Sequence, residues 1–279
     1  EYAVIEVTSE AVKQFRHKHI RFDAAVFTNL APEHIESHGS FEAYRAAKLE
    51  LFRTVSKRPP KTVRGRLVPR WVAVNLDDTE APRFLEFPVD AQYAFRILDA
   101  KFRSPDAPNI LPLKARIFDA VNVSVGADGS HFRFEERDQG TFVTTPLVGA
   151  FNISNILAAA AATMGEPGMD REVVRKVAAA TVSIPGRMEE IRCGQPFRVI
   201  VDMAHTPDSF RAVFAAVETM RGAGERVITV FGSAGGGRDA WKRPEMGKIA
   251  AQHSDALILT GPTGSGKSVV LNSLHRSVH

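Results

Sequence analysis

Two stretches gather acidic, basic and imidazole side chains just after an apolar run. Residues 200–207 read Ile-Val-Asp-Met-Ala-His-Thr-Pro, and residues 230–244 read Val-Phe-Gly-Ser-Ala-Gly-Gly-Gly-Arg-Asp-Ala-Trp-Lys-Arg-Pro. Each begins as an apolar run and breaks into polar or glycine residues, the way a buried parallel strand delivers its C-terminal end to a ligand. As two strands of one parallel sheet they bring Asp202, His205, Arg238, Asp239, Lys242 and Arg243 to one edge. Loop charges beside buried strands are better site candidates than charges on a helix face. Two plain surface turns would explain either stretch alone, but explain both less well. A third stretch, residues 261–268, reads Gly-Pro-Thr-Gly-Ser-Gly-Lys-Ser and satisfies G-x-x-x-x-G-K-[ST] in full. Gly261 and Gly266 would free backbone N–H groups to cradle phosphate, Lys267 would neutralise it, and Ser268 could reach Mg²⁺. Only eleven residues of this sequence follow Ser268, so within it no downstream strand is expected to supply an acidic metal ligand.

Residues 3–7 are apolar and predict a buried strand with Glu6 near its end. Read alone, Glu6 is either a strand-end surface charge, the favoured reading, or a metal ligand. Thr8-Ser9-Glu10 can cap a following helix. Residues 24–28 predict a second buried strand ending in Thr28-Asn29. A helix is expected over residues 40–56, with Ser40 as N-cap and Phe41, Tyr44, Leu51, Phe52 and Val55 on its apolar face. Lys48 lies on that same face. It either snorkels to solvent, which periodicity alone favours, or is a desolvated lysine with a neutral, reactive amine.

Residues 71–75 predict a strand followed by Asp77-Asp78. From 91 to 145 the pattern turns to short alternating strands, with a hairpin signal at Asp128-Gly129. Residues 149–164 predict an alanine-rich helix carrying Asn152 and Asn155, and 170–182 a further amphipathic helix. A domain boundary falls at Ser183-Ile184-Pro185-Gly186. Beyond it the rhythm is strand 198–202, helix from Thr206 with Pro207 in its first turn, strand 226–231, helix 243–251 and strand 256–260. That is a doubly wound α/β pattern.

Composition excludes several classes. The 279 residues are enough for roughly two domains. At 44% hydrophobic and 24% charged residues the chain is an ordinary globular one. No apolar run approaches the ~20 residues of a membrane span, and the opening residues are not expected to act as a signal peptide. A single cysteine, Cys193, excludes an internal disulfide framework and fits a reducing cytoplasm. The net charge of +4 suits anionic small substrates. Without aromatic-interleaved basic runs it gives no reason to expect nucleic acid.

Several motifs together resemble one family. They are Glu6-Val7-Thr8-Ser9 with Gln14 and Arg16; Phe27-Thr28-Asn29-Leu30 with Glu33-His34 and His38-Gly39; and Tyr44-Arg45-Ala46-Ala47-Lys48. With them come Phe151-Asn152 with Asn155; Pro185-Gly186-Arg187-Met188-Glu189; Asp202 with Ala204-His205-Thr206-Pro207-Asp208; and residues 235–244. The combination resembles the Mur ligases, nearest the tripeptide-synthetase branch, over about residues 1–260.

The resemblance implies an α/β fold. Residues 1–183 would be a Mur-ligase-like central, ATP-binding domain without its first strand and phosphate loop. Residues 184–260 would be a partial Rossmann-like C-terminal domain, and residues 261–279 a foreign P-loop-like segment. It implies a cytoplasmic, monomeric enzyme that uses ATP and Mg²⁺ to join an amino acid to a UDP-N-acetylmuramoyl peptide through an acyl phosphate. Nucleic acid and membrane are not among the implied partners. Glu6 and His34 would help hold magnesium, and a carbamylated Lys48 would support a second ion. Thr8, Ser9, Gln14 and Arg16 would contact the UDP-muramoyl substrate. Asn152 and Asn155 would lie near adenine, and Arg187, Asp202 and His205 near ATP across the domain cleft. Arg238, with Asp239 and Lys242 in support, would face the incoming amino acid.

The chain departs from the family's pattern at Glu33, where aspartate is common, at Glu10, where the tripeptide synthetases often have histidine, and after Thr260. There the amino-acid-selecting motif is replaced, so lysine and diaminopimelate stay undecided. Three other readings stand beside this one: a glutamate-adding ligase, a P-loop ATPase built on residues 261–268, and a non-catalytic fragment.

Overall fold

The computed structural model describes residues 2–31, 35–103, 106–137, 139–166, 169–232 and 241–261. The first half runs α1 (Ser9–Lys13), β1 (Ala24–Phe27), α2 (Ile35–His38), α3 (Phe41–Ser56), β2 (Lys61–Val63), β3 (Arg66–Val68), β4 (Trp71–Asn75), α4 (Ala81–Phe84) and β5 (Ala91–Ile97). It continues through β6 (Ala115–Gly126), β7 (Gly129–Glu136), β8 (Gln139–Thr145), α5 (Ala150–Thr163) and α6 (Arg171–Ala180). The second half is β9 (Glu189–Ile191), β10 (Val199–Val201), α7 (Pro207–Met220), β11 (Ile228–Phe231), α8 (Lys242–His253) and β12 (Ala256–Leu259).

One six-stranded sheet, ordered β1-β4-β5-β6-β7-β8, organises the first half. Its first four strands pair in parallel and its last three are antiparallel neighbours. β4 shows why the parallel part is central. Val72, Ala73 and Val74 are all fully buried, so both faces of the strand are covered. Ala73 faces the core that Phe95, Phe118, Phe132 and Phe134 build with Ile153, Leu157 and Ala161 of α5. Val72 and Val74 face the opposite core, made with Phe52 and Val55 of α3 and Phe84 of α4. Phe84 stacks on Phe27 with ring centroids 3.7 Å apart. The alanines of α5 bury Ala158, Ala160 and Ala161 against the sheet, as the close packing of that helix requires.

The β6–β7 hairpin turns at residues 127–128, and β7 begins at Gly129 with φ +127°. A Cβ at Gly129 would lie 2.1 Å from the Thr145 carbonyl oxygen, so the hairpin and β8 close only around a glycine.

Two expectations fail. Residues 3–7 are not a buried strand: they carry no regular structure, and Val4 is fully exposed. An apolar run becomes a strand only where a sheet edge takes up its N–H and C=O groups, and no described ladder pairs with this one. Second, the strands of the 200s and 230s do not belong to one parallel sheet. β10 pairs antiparallel with β9, and β11 pairs in parallel with β12, as separate ladders. The facing edges of β10 and β11 border a cleft of about 920 Å³ that Val213, Phe214 and Val217 of α7 also line. Periodicity distinguishes a strand from a helix but carries no information about which strands are neighbours. Ile228 and Val230, which line this cleft, and Ile258 of β12 are apolar and between 51% and 61% exposed. α7 packs Ala216 and Met220 against Val148 of the first half, with Val125, Phe151, Met188 and Ile200 around them.

Candidate functional site

Parallel strands open their C-terminal ends on one side. Here β1 and β4 deliver residues 28–30 and 75–78 together. The Asn75 Nδ2 donates to the Thr28 carbonyl at 2.7 Å. Asp78 accepts the Leu30 N–H at 2.7 Å and the Glu80 N–H at 2.8 Å. The loop carrying Thr28, Asn29 and Leu30 is thus tied to the neighbouring strand on both sides of Asn29. Into it reaches Lys48 from α3, whose Nζ donates to the Asn29 carbonyl at 3.3 Å and lies 5.2 Å from the Tyr44 ring centroid. Lys48 is half-buried, between the two readings of the sequence. Ser40 caps α3, accepting the Ala43 N–H at 3.1 Å, and this sets where Lys48 emerges.

Burial pushes the carboxyls of Asp77 and Asp78 above the usual aspartate value, against the N–H bonds and nearby cations that favour their charge. For Asp78 one of those cations is Lys48; for Asp77 the nearest is Arg103, at 3.4 Å.

α1 closes one side of this edge by packing on α3. Thr8 is its N-cap, with the Ala11 N–H on Thr8 Oγ1 at 3.1 Å, as the sequence suggested. Ser9 is buried and its Oγ lies 3.1 Å from His38 Nε2, which also sits 3.4 Å from Glu10. Both Thr8 and Ser9 therefore have structural partners already. Glu6, Gln14 and Arg16 are exposed.

On α5, Asn152 is 1% exposed and its Nδ2 donates to the Val148 carbonyl at 2.8 Å. Asn155 is exposed, with its amide 3.5 Å from the Asn152 Oδ1. Of this pair, Asn155 is the one open to a ligand, and Asn152 anchors the helix start.

In the second half, Asp202 clamps a turn. Its carboxylate accepts the Met188 N–H and the Ala204 N–H, each at 2.8 Å. Gly186 has φ +68°, and a Cβ there would meet the Met203 side chain at 2.9 Å. The clamp ties the turn that carries exposed Arg187 to the segment that carries exposed His205, whose Nδ1 lies 3.0 Å from the Met203 carbonyl. Lys242 opens α8 and is half-buried; Arg243 beside it is buried. Gly261 follows β12 and is exposed. His34, Arg238, Asp239, Gly266, Lys267 and Ser268 lie outside the described residues.

Sequence reasoning missed Asn75, Asp78 and His38 as members of this edge. The signal was present for the first two: a buried strand breaking into Asn-Leu-Asp-Asp, the same pattern that drew attention to residues 200–207. Among the described residues no group of three His, Cys, Asp or Glu side chains could hold a metal ion. No helix among them is long and apolar enough to cross a membrane.

Comparison with known proteins adds the following. The description of the Mur ligase middle domain matches residues 1–163, and that of the Mur ligase glutamate ligase domain matches residues 186–277. The UDP-N-acetylmuramoyl-L-alanyl-D-glutamate--2,6-diaminopimelate ligase of Syntrophomonas wolfei is 36% identical over 261 residues, covering 93% of this chain and 47% of the relative. The UDP-N-acetylmuramyl-tripeptide synthetase of Treponema denticola is 35% identical over 276 residues, covering 96% and 49%. The chain thus spans about half the length of the curated relatives it matches. A crystal structure of MurF from Acinetobacter baumannii superposes with a TM-score of 0.67 at 18% identity, covering 91% of this chain and 49% of that one, a likeness of fold.

Proposed function

Because the chain belongs to the Mur ligase family, we propose that it carries the core of an ATP-dependent ligase of peptidoglycan precursor synthesis, one that adds an amino acid to UDP-N-acetylmuramoyl-dipeptide. The relatives at 35–36% identity are named for this step, and the diaminopimelate in the first name favours that amino acid over lysine. The observation that carries the reading is the placement of Lys48 on the clamped loop at the C-terminal edge of β1 and β4.

In the proposed reaction the γ-phosphoryl group of ATP passes to the substrate carboxylate, giving an acyl phosphate and ADP. The amine of the incoming amino acid attacks the acyl carbon. The C–N bond forms, phosphate leaves with the C–O electron pair, and the amine gives up a proton. Glu6 would offer a carboxylate to Mg²⁺. Lys48 would offer a second one after its neutral amine adds CO₂ as a carbamate and releases a proton. These hard oxygen donors suit Mg²⁺, which takes one or two protein carboxylates plus phosphate oxygens and water instead of an all-protein cage. When bound, the metal would offset charge on the transferring phosphoryl group. Arg187, on the turn held by Asp202, is the cation proposed to meet ATP together with His205, and Asn155 the adenine contact supported by Asn152. Thr8, Ser9, Gln14 and Arg16 are proposed to face the muramoyl substrate, and Arg238, Asp239 and Lys242 the amino acid. His34 joins Glu6 at the metal in this reading.

The test is Lys48→Arg against Lys48→Ala, with phosphate release as the readout. Arginine keeps the cation but forms no carbamate, so both variants are expected to lose turnover, with partial rescue of the alanine variant by added short carboxylates. Undiminished turnover in Lys48→Arg would remove Lys48 from the chemistry.

A further inference from the structure

We propose that Asn75 and Asp78 are positioning residues for Lys48, an inference that rests on the ligase reading above. The Lys48 amine is steered by a backbone carbonyl, that of Asn29, on a three-residue loop between two strand-end anchors. Asn75 holds the residue before Asn29 through the Thr28 carbonyl at 2.7 Å, and Asp78 holds the residue after it through the Leu30 N–H at 2.7 Å. Neither anchor is itself adjustable. Asn75 ends buried β4, is 8% exposed, and its Oδ1 is occupied by the Asp77 N–H at 3.0 Å. Asp78 has its second oxygen on the Glu80 N–H at 2.8 Å. Asp77, next in the chain, fixes the same turn to β5 through the Ile97 N–H at 2.8 Å.

The Asn29 peptide therefore moves only if β4's end moves, and the Lys48 amine that donates to it at 3.3 Å is placed by the sheet instead of by α3 alone. A long lysine stem carries several rotatable bonds, and a fixed acceptor at its tip is what removes that freedom.

The ring of Tyr44, 5.2 Å from Lys48 Nζ, supplies a position reporter independent of turnover. The full chain is dimethylated at its lysines with carbon-13 formaldehyde, and the methyl resonances are assigned by lysine-to-arginine variants. Asn75→Asp removes the donor to Thr28 while keeping the acceptor for Asp77. Asp78→Asn replaces one acceptor oxygen by a donor. In the parent chain the Lys48 methyl signal is expected away from that of exposed Lys57, shifted by the Tyr44 ring. In both variants it is expected to move toward the Lys57 position, with Lys57 and Lys61 unmoved. In turnover the variants are expected to lower kcat, up to about 100-fold for a displacement of ~1 Å, with KM for ATP little changed. Asp78→Glu, which keeps both oxygens, is expected to recover part of each effect. A Lys48 signal that stays in place in both folded variants would overturn the proposal. Loss of the ligase reading is a separate result, seen as parent-chain phosphate release that does not require both the muramoyl substrate and the amino acid, whatever the methyl spectrum shows.

Discussion

Arg70 and Asp90 show how a single pair is read at the scale of side chains. The guanidinium donates to Asp90 through Nε at 3.1 Å and Nη2 at 2.7 Å, and the Arg70 backbone N–H adds a third bond at 2.7 Å. Together they lower the Asp90 carboxyl to about 2. Its folded value lies below the unfolded one, so the pair stabilises fully above the ordinary aspartate value. That stabilisation is lost as the pH falls through about 2. Asp90 is 45% exposed, so solvent screens the gain and it stays small. Arg70→Ala is expected to return the Asp90 titration toward the ordinary value in a carbon-detected NMR titration; an unmoved midpoint would assign the shift to the backbone alone. At the candidate site the opposite sense holds. Asp77 and Asp78 are raised by burial, so in the folded chain they give up their protons at higher pH than exposed aspartates. The apolar helical face on which Lys48 lies left its reading open, with a snorkelling side chain favoured, and its proposed role came from the family resemblance. Its acceptor was not legible, because a backbone carbonyl on another element leaves no trace in side-chain spacing.

Elements carry the next set of expectations. Three helices of the sequence reading start on local caps: Ser40, Asp170 and Thr206 each accept a backbone N–H three residues on. Thr206 and Ser209 complete a capping box, and Thr206→Ala is expected to cost about 1 kcal/mol in urea unfolding. At the hairpin, Gly129→Ala meets both a left-handed φ and the Thr145 carbonyl, and should cost more, on the order of 1–3 kcal/mol. A loss below that of Thr206→Ala would mean the hairpin opens easily. What the sequence concealed is non-local. Residues 3–7 have the composition of a strand without a described sheet edge to join, and the break between β10 and β11 depends on neighbours far along the chain. The exposed face of β11 gives a direct check. Val230→Thr should be nearly neutral, within about 0.5 kcal/mol, whereas Phe214→Ala, buried against α8, should cost about 3–5 kcal/mol. A large loss at Val230 would mean that face is covered in solution.

The molecule as a whole pairs a continuous six-stranded core with a second region of two short ladders around a cleft. Amide exchange should follow that division, with Val74 and Phe95 among the slowest amides and β10 among the fast ones. Uniform protection across both would contradict a split second sheet. The catalytic groups are proposed to come from both regions: Lys48 and Glu6 from the first, Arg187 and His205 from the second. The most direct test of the ligase reading is phosphate release from ATP and Mg²⁺ by the purified chain, with and without UDP-N-acetylmuramoyl-dipeptide and diaminopimelate. Release that requires both substrates together is the expected result. Release that needs neither, or none from the folded chain under any combination, would contradict it.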